Sequence, residues 1–177
     1  MIKRVCWSLL ISILLVFSCE DDDVVFEGIL LRDSNNQSLG TRGSRDLNDW
    51  GDDGELPNNV MKLLDFDTET DLTGTEESEV QILGYPNPVS SFFRVHFLLS
   101  KSSFVKLIVV NQSMKVLYRT SFIGTGTNLF DIEMNDSKKF PNGKIVRVYY
   151  SVSAIDNPNF YVGHGDVLIC RRPDDCF

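Results

Sequence analysis

The side chains able to do chemistry in this chain are four cysteines, two histidines and a surplus of carboxylates, 25 Asp and Glu against 17 Lys and Arg. Cys170 and Cys176 stand near the C-terminal end, where they either close a short disulfide loop in an oxidising compartment or remain two free thiols. The sequence contains no CxxC pair and no His/Cys cluster with metal spacing. Asp65, Asp67, Glu69, Asp71 and Glu76 fall at positions 1, 3, 5, 7 and 12 of a loop, the oxygen spacing that coordinates calcium. Position 6 of that loop is Thr70 instead of the glycine its sharp turn needs, and no amphipathic helix flanks it. Solvated acidic surface is therefore the first reading, and a calcium site the alternative. Asp46, Asn48, Asp49, Asp52 and Asp53 form a second cluster that reads the same way. His96 alternates with Arg94 and reads as a surface residue. His164 lies between Gly163 and Gly165, two residues before Asp166, and reads as part of a tight turn with a polar His–Asp contact. No Gly-x-Ser-x-Gly element or reactive-cysteine context accompanies it, so the sequence names no catalytic residue and no small-molecule substrate.

The remaining reactive group is Cys19, and what precedes it gives it meaning. Lys3 and Arg4 begin a positive segment, Val5 to Phe17 is a 13-residue apolar run interrupted by two serines, and Ser18 follows as a small residue. These are the parts of a secretory signal. A bilayer span takes roughly 20 apolar residues, so the run reads as a removed signal, residues 1–18, instead of a membrane helix. Leu15-Val16-Phe17-Ser18-Cys19 resembles the lipobox of bacterial lipoproteins. That resemblance implies cleavage before Cys19, thioether lipidation of its side chain and acylation of the new amino group. Each buried CH2 contributes about 0.8 kcal/mol, and stable anchoring takes at least two chains, which this modification supplies. Glu20-Asp21-Asp22-Asp23 follows directly. It resembles the signal that exports lipoproteins to the cell surface in bacteria with type IX secretion; the alternative is a solvated spacer.

Removing the signal takes two of the 17 basic residues and none of the 25 acidic ones, leaving a net charge of −10 on 159 residues. Such a charge excludes nucleic acid as the expected partner, because phosphate binding relies on clustered Lys and Arg. The charge is unevenly divided. Residues 20–79 hold 18 acids and four bases, whereas residues 80–177 hold seven acids and eleven bases. This shift predicts a boundary near Val80, between a lipidated and partly irregular acidic extension, 19–79, and a folded domain, 80–177. Within the extension, Val24–Phe26 and Ile29–Leu31 suggest short strands, Asp33–Arg45 reads as loop, and Val60–Leu64 with Phe66 forms an apolar cluster able to dock on the later domain.

From Val80 the pattern alternates with period two. Phe93, Val95, Phe97 and Leu99 mark one strand, and Val105–Val109, Val116–Phe122, Phe130–Met134, Ile145–Ala154, Phe160–Val162 and Val167–Ile169 mark the others. About seven short strands without helices between them predict an all-β fold, an antiparallel immunoglobulin-like sandwich. Gly84-Tyr85-Pro86-Asn87-Pro88, the turn Val110–Val116 and the strand Asn142–Tyr150 together resemble the immunoglobulin-like module of flagellar hook-cap proteins. They resemble still more the C-terminal sorting domain of type IX secretion substrates, over about residues 82–154. Pro86 and Pro88 cannot donate to a ladder, and so are expected to define where the first strand enters. A sorting domain ordinarily follows a large cargo, and here only about sixty acidic residues and an anchor precede it. The expectation is therefore a lipid-anchored, surface-exposed outer-membrane protein, a non-catalytic binding or structural subunit with an outer-membrane protein partner. A calcium-dependent adhesion module and a type IX secretion substrate are the alternatives.

Overall fold

Phe93, Val95, Phe97, Leu99, Val105, Leu107 and Val109 are all buried and share one parity, as one strand facing one core would require. The computed structural model describes residues 23–44, 46–66, 77–155 and 157–172 and places these seven side chains on a single long strand. Its elements are β1 (Gly28–Arg32), β2 (Ser38–Gly43), α1 (Asn58–Leu64), β3 (Val80–Tyr85), β4 (Phe92–Val110), β5 (Val116–Glu133), β6 (Ile145–Ser153) and β7 (Tyr161–Leu168). All strand pairs are antiparallel. The all-β sandwich expected from the sequence is the fold the chain adopts, with its strands differently divided. The stretches expected as separate strands at 93–99 and 105–109 are halves of β4, and those at 116–122 and 130–134 belong to β5. Those at 160–162 and 167–169 merge into β7.

The length of β4 makes the sandwich. Residues 92–99 pair with β3 on one side and with the second half of β5 on the other. Residues 103–110 pair with β6 and with the first half of β5. Between them the register slips: Leu99 faces Gly126 while Ser103 faces Gly124, so β4 spends two more residues here than its partner. Extra residues on one strand of an antiparallel pair bend it and increase its twist. The sheet curls at this point, and its two halves enclose one core. Ile82 and Phe97 come from one half, and Leu107, Val148, Tyr150 and Val167 from the other. At the far end of the hairpin, Asn111 organises the turn, its Oδ1 accepting from Lys115 N at 2.9 Å. Met114 stands there in the left-handed region, at φ 54°.

The outer face of the second half is not left to solvent. Ile108, Val110 and Tyr149 point outward by strand parity and are buried beneath Val24 and the α1 residues Val60 and Leu64. Ile29 and Leu31 of β1 cover Leu168 and Cys170 in the same way. The described part of the acidic segment is thus a third layer of the fold instead of an irregular extension, and its packing on the sandwich crosses the composition shift at Val80. The stretch 33–45, read as loop, contains β2 within its described residues, paired with β1. The apolar cluster at Val60–Leu64 does dock, as a helix.

One residue of this layer enters the main core. Trp50, at φ 65°, lies on a loop whose backbone runs beside β7: Trp50 N donates to His164 O at 2.7 Å and Asp53 N to Val162 O at 2.8 Å. Its indole packs on Phe93 (5.5 Å between centroids) and Tyr150 (6.3 Å). The slot is made by two glycines on different halves of the sheet. A Cβ on Gly84 of β3 would come within 2.3 Å of the indole, and one on Gly165 of β7 within 2.2 Å. The indole therefore fills the gap between the edge strands of the two halves.

Pro86 and Pro88, expected to mark where the first strand enters, instead end β3; both follow cis peptide bonds. Asn87 between them is fully buried. Its backbone exchanges two hydrogen bonds with Arg32, both at 2.8 Å. Its side-chain nitrogen donates to Leu30 O (3.0 Å) and Asp166 O (2.7 Å), and its Oδ1 accepts from Leu168 N (2.9 Å). Every polar group of this buried residue is satisfied, which is the condition for burying it at low cost, and the bonds tie β1 and β7 to the end of β3.

If Trp50 is a core residue, Trp50→Ala should lower unfolding stability in urea by about 3–5 kcal/mol, the range for truncating a buried large aromatic. A loss below about 1 kcal/mol would mean that the loop only drapes over the sandwich.

Candidate functional site

The densest assembly of ionisable groups sits where loop 46–53 lies on β7. On the outer face of β6 and β7, Tyr149 is paired with His164 and Arg147 with Asp166. Arg147 and Asp166 form a bidentate ion pair, Nε–Oδ1 2.6 Å and Nη2–Oδ2 2.7 Å, with the aspartate side chain wholly shielded from solvent. Burial pushes the Asp166 carboxyl up, and the Arg147 contacts offset only part of that rise. The same guanidinium donates to Val25 O at 3.1 Å and lies over the Phe26 ring at 5.4 Å, gripping the chain where it enters the fold.

The acids of the loop turn inward onto this strand pair. Asp49 accepts from Asp166 N (2.8 Å) and Leu30 N (3.1 Å), substituting for a strand that is not there. Burial raises its carboxyl to about 6, against the effect of those two backbone bonds. His164 stands between two carboxylates: Nδ1 is 2.6 Å from Asp53 Oδ2 and Nε2 is 3.0 Å from Asp46 Oδ2. Burial alone would lower the imidazole's pKa, but the Asp53 and Asp46 hydrogen bonds and the Asp53 charge outweigh it and leave it raised. Asp46 is itself lowered overall, its desolvation outweighed by the Asn48 backbone bond and by His164. Gly163 and Gly165 allow the close approach, since a Cβ at Gly163 would meet Gly51 O at 2.0 Å.

Chemically this is a clamp. Both nitrogens of His164 are held by carboxylates, so neither is free to take a proton from a bound molecule, and the imidazolium joins two points of the loop to β7. The cluster at Asp46, Asn48, Asp49, Asp52 and Asp53, read as solvated surface, is corrected here. Asp46, Asp49 and Asp53 are partly buried and serve as internal acceptors, while Asp52 stays exposed. The expected contact between His164 and Asp166 is not made: Asp166 pairs with Arg147, and the two loop aspartates take His164. Nor is His164 in a turn, for it lies within β7.

Of the other residues singled out by sequence, Asp23 is exposed, and Cys19, Glu20, Asp21 and Asp22 lie outside the described residues. Cys170 is buried and disulfide-bonded, and Cys176, its expected partner, lies outside the described residues. Asp65 is exposed just after α1, while Asp67, Glu69, Asp71 and Glu76 lie outside them too. Among the described residues no three His, Cys, Asp or Glu side chains converge so as to hold a metal ion. The clamp residues missed in the sequence are Trp50 and Arg147. Arg147 had a signal: it is the one charge in the apolar run Ile145–Ala154, and a charge so placed needs a buried partner. Compared with family models, curated proteins and solved structures, the chain matches none.

The clamp sets a pH dependence. His164 has its pKa raised in the folded state, so its contribution is fully present below its unfolded value and is lost as pH rises through the folded one. Asp49, raised to about 6, acts in the same direction between its ordinary value of 3.8 and 6. Stability should therefore fall as pH is raised from about 5 to 9, and His164→Gln should remove the upper part of that fall. The variant should cost about 1–3 kcal/mol at low pH, the range for charge-assisted hydrogen bonds, and progressively less as pH rises through the raised folded value of His164. A cost that does not change with pH would show that the imidazolium is not what holds the loop.

Proposed function

We propose that the chain is a lipid-anchored outer-membrane protein, exposed at the cell surface, whose sandwich binds a partner protein by strand addition at β5. The observation that carries the binding reading is the open side of that strand. β5 is 18 residues long, and among the described strands it pairs with β4 alone, so its other side belongs to no described ladder. Edge strands are ordinarily protected by charge, proline or shortness. From Thr120 to Phe130 this one has no charged residue and no proline. Ile123 and Leu129 add exposed apolar surface there, at 45% and 51%. An edge with these properties suits pairing with an extended segment of another chain, where the backbone supplies affinity and alternate side chains supply specificity.

The anchoring reading rests on the placement of Cys19 after the signal-like run and is supported by how soon the fold begins. Val24 is already buried, with its N–H donating to Gln112 O at 2.8 Å. Five residues reach at most about 18 Å, so the body would sit close to the acylated cysteine. Asp21–Asp23 fall in that short interval, the place the export reading needs them.

Pull-down of the lipidated chain from its own membranes should recover one stoichiometric membrane partner. Ile123→Lys with Leu129→Lys, which charges the edge without touching the core, should reduce the recovery at least tenfold and leave the unfolding midpoint unchanged. Recovery of the chain alone, or equal recovery by the variant, would contradict strand addition at β5. For the anchor, Cys19→Ser should move the protein from the membrane fraction to the soluble fraction. A variant that still pellets with membranes would remove the lipoprotein reading.

A further inference from the structure

The end of the sandwich at which the chain enters is also where its basic charge gathers. A groove of about 790 Å³ lies between the β4–β5 turn and the β5–β6 connection. Its rim carries Lys115, Lys138, Lys139 and Lys144, all exposed. Phe26 and Ile145 are among the residues of its apolar floor. Asp136 is the single carboxylate in the lining, which leaves the groove at +3 in a chain whose net charge is −8. One oxygen of Asp136 is taken by Lys138 N at 2.9 Å. Among the described residues none of the four ammonium groups forms an ion pair. Four cations without an ion pair among the described residues, with Lys139 lying over the Phe140 ring at 5.4 Å, fit a ligand with an anionic head and an apolar body. The size suits one as well, being within the range of small-molecule sites.

Position identifies which ligand of that kind. Phe26 forms part of the groove, and Val24 is bonded to Gln112, which also lines it. Cys19 is seven residues before Phe26, a reach of at most about 25 Å. Whatever surface holds Cys19 is therefore within that distance of Phe26, which lines the same groove as the lysines. An anionic membrane surface draws basic side chains over about a Debye length, some 8–10 Å. We propose that this groove binds an anionic phospholipid of the membrane in which the chain is anchored, the lysines taking the phosphate headgroup and the apolar floor the upper part of an acyl chain. The inference rests on the anchoring reading above. Bound lipid would fix the orientation of the body, turning the groove end to the membrane. The run Glu20–Asp23 carries four carboxylates within the same length of chain, and the test must separate it from lipid.

The full chain in nonionic micelles is titrated with dihexanoylphosphatidylglycerol, dihexanoylphosphatidylcholine and inorganic phosphate, following the amide resonances of Lys115, Gly143 and Ile145. Saturable binding of the glycerol lipid is expected, at least tenfold tighter than that of the choline lipid or phosphate, and at least tenfold weaker in Lys138→Glu/Lys139→Glu. Both lysines are exposed, so the variant should keep the wild-type unfolding midpoint, which is measured alongside. Equal affinity for the two lipids, phosphate binding as tight as the glycerol lipid, or an unaffected double variant would each overturn the proposal. So would binding that appears only after Glu20–Asp23 are replaced by alanine, because the acidic run would then be the occupant. Mass measurement of Cys19 acylation tests the anchor separately: an unacylated chain that still binds the lipid through these lysines would sink the anchor and leave the groove.

Discussion

The structure depends on one indole held between two glycines. β3 and β7 lie on different halves of a curled sheet and do not pair as strands, although just past β3 the Asn87 side chain and the Val89–Ile169 bridge tie the two at one end. Trp50 joins them by packing, against Gly84 on one side and Gly165 on the other, with Phe93 and Tyr150 beneath. Burying an aromatic of this size stabilises by several kcal/mol, and it can reach its slot only if the loop around it lies along β7. The carboxylates of that loop follow as a consequence. Brought against a strand edge, they either find donors or incur the cost of desolvation. Asp49 finds the amides of Asp166 and Leu30, and Asp46 and Asp53 find His164. Tyr150 completes the arrangement, its hydroxyl donating to Gly51 O at 2.7 Å from inside the core.

This explains why the sequence was legible in one half and misleading in the other. Alternation through Phe93–Leu99 reports a half-buried strand directly, because side chains on a strand change face at every residue. Alternation does not report where a strand ends. The bulge after Leu99 keeps parity across the bend, so one strand read as two, and β5 across from it did the same. In the acidic half, charge suggests exposure. An aspartate followed closely by backbone donors is as able to cap a buried edge as to face water, and composition alone cannot tell which. The clue lay in the partner strand, in Gly163-His164-Gly165. Two glycines flanking a histidine on a strand mean close approach of another backbone, and the four aspartates of 46–53 were the groups available to meet it.

The functional reading follows from which surfaces this architecture covers and which it leaves open. The N-terminal layer seals the outer face of the second half-sheet and ties itself to the entry point of the chain through Arg147. The β5 edge, uncharged over its middle, lies outside any described ladder. The lysine groove sits at the entry end, beside Phe26. A cationic groove at the end where the described chain begins and a β5 flank outside any described ladder suit the proposed protein, held against a membrane and presenting an edge outward. Without the clamp, the layer that precedes β3 would lose its hold on β7.

The central claim is that residues 23–66 are a cooperative layer of the fold. Native-state hydrogen exchange measures this most directly, because it gives an opening free energy for each amide. The amides of Val24, Trp50 and Asp53 should open with the same free energy as Leu107 and Val148 in the core, and with the same denaturant dependence. Opening of those three amides at a small fraction of the global value, while Leu107 and Val148 stay protected, would contradict the account.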